Sequence, residues 1–168
     1  VSRFKKIKKL EIMKIKTVEK NNRKKQYEIV TEKGDNYIFP YSQQQPSPSQ
    51  GNKIVKLFVD PELGCEGFTY FLEDGGEGSI LMDYILHYNR EPAYMRDMLL
   101  YELSVEAQDQ IKKSKLSKRE IIRRLNTSPA QFYRLVDQTN YTKSVDQMLN
   151  LLQALDCEVE FIVHDNSA

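Results

Sequence analysis

Three times between residues 117 and 147 a serine is followed, three positions later, by glutamate or glutamine. The stretches are Ser117-Lys-Arg-Glu120, Ser128-Pro-Ala-Gln131 and Ser144-Val-Asp-Gln147. No other feature restricts the fold of this chain as tightly. In each, the serine oxygen can accept an orphan N–H of a helix's first turn, while the acid or amide reaches back to the serine N–H. Pro129 falls at the first position of its helix, where a missing N–H costs nothing. Helices are therefore predicted to begin near residues 118, 129 and 145. The first two starts leave room for about eight residues of helix, Lys118 to Leu125, and a tight turn at Asn126-Thr127.

That spacing is the spacing of a helix-turn-helix. The apolar pattern agrees with it. Leu116, Ile121, Ile122 and Leu125 fall on one side of the first helix, and Phe132, Leu135 and Val136 on one side of the second. Ala130, Gln131, Tyr133, Arg134 and Asp137 are left facing outward. The third helix carries Val145, Met148, Leu149, Leu152 and Leu155 as one stripe, and a helix near residues 105–113 would complete a four-helix core. Beyond Asp156, CEVEFIVH alternates and predicts a half-buried strand.

Charge is segregated along the chain although its net value is only +1. Residues 1–33 hold 12 Lys/Arg against 4 Asp/Glu, residues 34–103 hold 4 against 11, and residues 104–168 hold 9 against 9. Lys112 to Arg134 contains eight basic residues and a single acid, Glu120. Such a strip suits a polyanion, and equally a solvated helix face. Lys118 and Arg119 sharpen the question, because cations at a helix start oppose the macrodipole and so do not serve the helix itself. The basic strip RFKKIKK reads as a nucleic-acid arm, a strand edge, or sequence upstream of a natural start at Met13.

The first half reads as β. Ile12–Val18, Gln26–Thr31, Tyr37–Phe39, Lys53–Val59 and Gly67–Leu72 are strand-like, with turn chemistry at residues 33–36 and 60–64. SQQQPSPSQGN, residues 42–52, is expected to be a mobile loop. Asp74-Gly75-Gly76 is expected to close the sheet, and Ile80, Leu81, Tyr84, Ile85 and Tyr88 then recur at helical spacing. Pro92 is placed for another helix start, followed by Met95, Met98, Leu99 and Leu103.

The inventory for catalysis is thin. Two cysteines, Cys65 and Cys157, and two histidines, His87 and His164, show no ligand spacing, so no metal, cofactor or catalytic residue is expected. Two cysteines in 168 residues suit a reducing cytoplasm. No apolar run approaches the ~20 residues of a membrane span, and no secretory signal pattern follows the basic start. Glu73, Asp74 and Glu77 cluster around glycines, where turn solvation accounts for them more cheaply than cation binding or an acid–base pair.

The segment LSKREIIRRLNTSPAQFYRLVDQTN resembles the helix-turn-helix of the Cro/repressor-like (XRE) family, and is similar to the antitoxins of that family, over roughly residues 104–164. Asn126 stands where the family has glycine and Ile122 where it has a small residue. The resemblance implies phosphate contact from Lys118, a recognition helix opened by Ser128, and groove-facing positions for Pro129, Ala130, Gln131, Tyr133 and Arg134. Arg119, the other cation at that helix start, is expected to meet phosphate as well. IVKLFVDPELGCEGFTYFLEDGGEGSILMDYIL also resembles a small β-rich domain of unknown function encoded near toxin–antitoxin genes.

The expectation is an α+β chain with two domains. Residues 1–90 would be a small antiparallel β-sheet domain with helices. Residues 91–168 would be an all-α helix-turn-helix domain ending in a β-strand. Its function would be sequence-specific binding of double-stranded DNA as a transcriptional regulator, an antitoxin-type repressor of its own operon. It would form a homodimer through the C-terminal strand, with a toxin protein as a further partner. The alternatives are a ligand-sensing or small enzymatic β domain governing the DNA-binding part, and an interaction module without DNA binding. Residue by residue, Arg134 chooses between guanine or phosphate and an internal pair with Asp137 or Glu120. Gln131 chooses between adenine and the cap of Ser128, and Tyr133 between DNA and its own protein.

Overall fold

In Gln26–Thr31 every second side chain is buried: Tyr27, Ile29 and Thr31. That alternation makes it the central strand, β2, of an antiparallel sheet between β1, Ile15–Asn21, and β3, Asn36–Pro40. Tyr27 stands opposite Phe39, and Ile29 opposite both Tyr37 and Val18. A second antiparallel sheet has the order β4, Ile54–Val59, β5, Gly67–Leu72, and β6, Glu77–Leu81. The computed structural model describes residues 13–164, which divide into two compact units between Met95 and Arg96. Both sheets belong to the first unit. The expected basic arm at the N-terminus and Ile12 lie outside the described residues.

A tyrosine-rich core joins the two sheets. The Tyr27 ring lies 4.7 Å from Tyr41, 4.8 Å from Phe68 and 5.5 Å from Tyr70. At the seam Lys20 Nζ donates to the Ile54 carbonyl at 2.8 Å, and Ile15 N–H donates to the Cys65 carbonyl at 2.8 Å. Tyr70 crosses the sheet over Gly78, where a Cβ would collide with its phenol. Glycine is therefore required there by close approach.

Three expectations for this unit are corrected. Asp74-Gly75-Gly76 does not close the sheet but turns β5 into a further strand, β6. Ile80 and Leu81 belong to strand β6, and helix α1 occupies only Met82–Tyr88. The apolar spacing from residue 80 reads as either period over so short a run, and pairing with β5 decides it. Helix α1 buries Met82, Ile85 and Leu86, while Tyr88 is exposed. The segment 42–52 is not a free loop. Tyr41 is buried, Ser47 Oγ donates to its carbonyl at 2.9 Å, Tyr70 Oη donates to Pro46 O at 2.6 Å, and Ser49 bridges Asn52. At the far end Asn89 Nδ2 donates to Ile38 O at 2.8 Å and ties α1 to the free edge of β3.

Helix α2, Pro92–Lys113, begins at the predicted proline. The separate helix expected near residues 105–113 is its continuation, since nothing between them breaks the backbone. In the second unit it presents Leu100, Leu103, Ser104 and Ala107 as a buried stripe. Helices α3, Lys118–Arg124, α4, Pro129–Val136, and α5, Val145–Ala154, complete the unit around Ile121, Phe132, Met148, Leu151, Leu152 and Leu155. The α5 stripe is 148, 151, 152, 155: Leu151 is buried, and Leu149 is half-buried outside this cluster. The whole chain is thus mixed α+β, with two three-stranded antiparallel sheets and five helices among the described residues.

The helix starts fall at 118, 129 and 145, each with its serine oxygen accepting the N–H three residues on. Each such cap stabilises by about 1 kcal/mol. Only Ser144 has the reciprocal bond, to Gln147 Oε1 at 2.9 Å. Glu120 turns instead to Arg123, and Gln131 makes no return bond. The C-terminal strand is not formed. Cys157 and Val159 pack against the core of this unit, but residues 157–164 pair with no strand among the described residues. Phe161 and Val163, 61% and 93% exposed, carry the apolar side of the alternation into solvent together with Ile162. A strand needs a neighbouring edge, and the helical unit has none.

Candidate nucleic-acid interface

The turn between α3 and α4 rests on Asn126, which adopts the left-handed conformation at φ 50°. Asparagine tolerates that region better than most residues. Asn126 N–H donates to Arg123 O at 3.0 Å and Thr127 N–H to Ile122 O at 3.3 Å, closing the end of α3. The chain then re-enters a helix at Ser128, whose oxygen accepts Gln131 N–H at 3.2 Å. Phe132, 1% exposed, roots α4 in the core, with Leu135 and Val136 beside it.

The opposite side of α4 is open. Ala130, Gln131, Tyr133 and Arg134 are all exposed. With no return bond to Ser128, the Gln131 amide has no intramolecular partner among the described residues. Arg134 forms neither internal pair open to it. Asp137 is engaged by Thr139 N–H at 2.9 Å and Thr139 Oγ1 at 2.8 Å, which hold its carboxyl below the usual range. Glu120 is engaged by Arg123 through two bonds, at 2.9 and 2.6 Å. Lys118, the first residue of α3, places Nζ 5.7 Å from the centroid of the Tyr133 ring. The start of α3 and the outer face of α4 therefore form one surface. Tyr133 is 54% exposed on it, its inner edge against Phe132.

The basic strip divides into two sets. Lys113 pairs with Asp109 at 2.5 Å. Arg123 pairs with Glu120, and Arg124 with Asp156 at 2.9 Å and with the Ala154 carbonyl at 3.1 Å. These three are neutralised inside the protein. Lys112, Lys115, Lys118, Arg119 and Arg134 have no carboxylate partner among the described residues. Three of these cations, Lys118, Arg119 and Arg134, were singled out from sequence.

A feature the sequence did not disclose lies at the other end of α4. The last carbonyls of a helix lack intrahelical donors, and here side chains supply them. Asn140 Nδ2 donates to Arg134 O at 3.0 Å and Gln108 Nε2 to Val136 O at 2.6 Å. Lys143 Nζ donates to Leu135 O at 2.8 Å and Asp137 O at 2.5 Å. Lys143 is buried, and that burial pushes its pKa down to about 8 against the favourable field of Asp137. The only sequence signal was a polar run, DQTNYTK, ahead of a cap, and that also describes an ordinary loop.

Cys65 and Cys157 are free thiols, both half-buried. Among the described residues no group of three or more His, Cys, Asp or Glu could hold a metal ion. No helix of the described residues is long and apolar enough to cross a membrane. Comparison with family models, with curated proteins and with solved structures found no match.

Proposed function

We propose that residues 96–164 are a helix-turn-helix unit that binds double-stranded DNA sequence-specifically, with α4 as the recognition helix. The observation that carries this reading is the open face of α4. Gln131, Tyr133 and Arg134 share it with Lys118, and neither the Gln131 amide nor the Arg134 guanidinium makes a hydrogen bond among the described residues. A guanidinium so placed can take guanine O6 and N7 together, and a glutamine amide can take adenine N6 and N7. Lys118 and Arg119 at the start of α3 then meet phosphate, with Lys112 and Lys115 extending the cationic surface. The chain acts as a transcriptional regulator, of the antitoxin type that represses its own operon. The N-terminal unit docks a protein partner, a toxin in that setting. This reading assigns the chain no catalytic step.

A homodimer belongs to the same proposal. Phe161, Ile162 and Val163 are exposed on a segment that alternates as a strand and pairs with no strand among the described residues. Antiparallel pairing with the same segment of a second copy would supply the missing edge and cover those side chains. Two recognition helices would then face successive major grooves of a palindromic site. Removing residues 161–168 tests this while leaving Cys157 and Val159 in the core. Sedimentation should give a dimer for the full chain and a monomer for the shortened one; equal masses refute strand pairing.

The DNA reading is tested by selection from random duplexes in a gel-shift assay. A common motif should be enriched, and its binding should weaken steeply between about 50 and 200 mM salt as condensed counterions cease to be released. Enrichment of nothing, with affinity indifferent to salt, would leave an interaction module that does not bind DNA.

A further inference from the structure

The termination of α4 is unusual for so short a helix. Its end residue, Asp137, is extended at φ −70° and ψ 114°, so no left-handed residue closes the last turn. Four consecutive carbonyls, from Arg134 to Asp137, instead accept side-chain donors from three places: Gln108 in α2, and Asn140 and Lys143 in the segment leading to α5. Gln138 Nε2 donates in turn to Gln108 Oε1 at 2.9 Å, so the α2 donor is itself held. The last turn of α4 is therefore set from outside the helix. Arg134 stands in that turn, with its own carbonyl among the four.

Lys143 is the centre of this arrangement. Burying an ammonium is expensive. Its two hydrogen bonds go to carbonyls, not to a carboxylate. Asp137 is the charged group whose field reaches it, and that carboxylate is bonded to Thr139. If the end of α4 needed only a stop, glycine in the left-handed conformation would provide one without burying a charge. A lysine that bridges two carbonyls does something different: it fixes the direction in which the last turn points.

Resting on the DNA-binding reading, we propose that Lys143 is a positioning residue for recognition, holding the last turn of α4 so that Arg134 meets its base in one orientation. Asn140 and Gln108 are the secondary members of the same clamp. Lys143 touches no DNA. Its effect on binding is passed through the backbone of residues 134–137.

The test is a double-mutant cycle on the full chain, using the selected duplex and one altered at the base pair that Arg134 reads. Lys143→Met keeps the bulk of the stem and removes the donors. It should weaken binding to the selected duplex about tenfold, and much less to the altered duplex. In an Arg134→Ala background the same change should have almost no further effect, because the group being positioned is gone. Amide hydrogen exchange of the free protein should show lost protection confined to residues 134–138. Asn140→Ala should give the same pattern more weakly, and it carries the test if Lys143→Met does not fold. Binding by Lys143→Met equal to that of the parent overturns the proposal. So do losses that multiply independently of Arg134, or that are equal on both duplexes. A parent chain that selects no duplex overturns the DNA reading itself, and this inference with it.

Discussion

The N-terminal unit buries tyrosine where the C-terminal unit buries aliphatic side chains. Tyr27, Tyr41 and Tyr70 fill the space between the two sheets with Phe39 and Phe68, whereas Phe132 is the one ring in a core otherwise of Leu, Ile, Met and Ala. A buried phenol usually finds a hydrogen-bond partner, although the Tyr27 hydroxyl has none among the described residues. Tyr70 finds Pro46, and Tyr41 donates to Asn22 Oδ1 at 3.0 Å, so segments without regular structure are fastened to the core. In the C-terminal unit polar bonding is concentrated at helix ends, and Gln131 and Arg134 on the outer face of α4 have no side-chain hydrogen bond among the described residues. One unit spends its polar groups inward; the other leaves a set of them open on α4.

The comparison breaks most visibly at Phe132. Phe132→Ala should destabilise the C-terminal unit by ~3–5 kcal/mol by leaving a cavity in a tight core. Denaturant unfolding followed by amide hydrogen exchange of β2 and β5 and by helical circular dichroism should show the helical transition moving alone. Coincident movement of both signals would mean that the two units unfold as one. Ser128→Ala comes next, at about 1 kcal/mol, since it removes the acceptor for the first turn of α4; hydrogen exchange of β2 and β5 should not move. Tyr70→Phe sharpens the other side. Losing its bond to Pro46 should cost about 1 kcal/mol, and the visible effect should be faster proteolysis within residues 42–52, with α4 unchanged.

The effect of pH differs in sign between the units. Burial lowers the Lys143 pKa to about 8 in the folded chain, against an ordinary lysine near ~10.4 once unfolded. Below pH 8 both states are protonated and the fold carries the whole cost of the buried charge. As pH rises from about 8 towards ~10.4 the unfolded state binds more protons, so stability of the C-terminal unit increases. Burial raises the tyrosine pKa values of Tyr27, Tyr41 and Tyr70 instead. The N-terminal unit should therefore lose stability as pH climbs past ~10, where unfolded tyrosine begins to ionise. Melting curves between pH 7 and 11 should separate the two, and Lys143→Met should abolish only the rise.

What was legible in the sequence follows the range of the interaction that decides it. Ser117, Ser128 and Ser144 act on an N–H three residues away, and their helices begin where the serines place them. Asn126 is equally local. Ile80 and Leu81 could not be assigned from a run so short, because what makes them a strand is β5. The low-complexity residues 42–52 looked mobile because nothing in them shows that Tyr70, far along the chain, reaches Pro46. CEVEFIVH alternates plainly, yet alternation specifies a face and not the neighbour a strand requires. The residues singled out on α4 do share an open surface with Lys118, since a period of 3.6 places side chains on a helix reliably. Lys143, Asn140 and Gln108 were missed because their role exists only once α2 and the segment before α5 meet the end of α4.

The central claim is that the open face of α4 reads duplex DNA, and Arg134 tests it most directly. Binding of the selected duplex and of a scrambled one is measured for the parent chain and for Arg134→Ala across a salt series. The account predicts a loss of ~1–3 kcal/mol on the selected duplex, little change on the scrambled one, and a parent affinity that falls with a log–log slope of about 0.9 per phosphate neutralised. Equal affinity of the parent for both duplexes at every salt concentration, unchanged by Arg134→Ala, would contradict it.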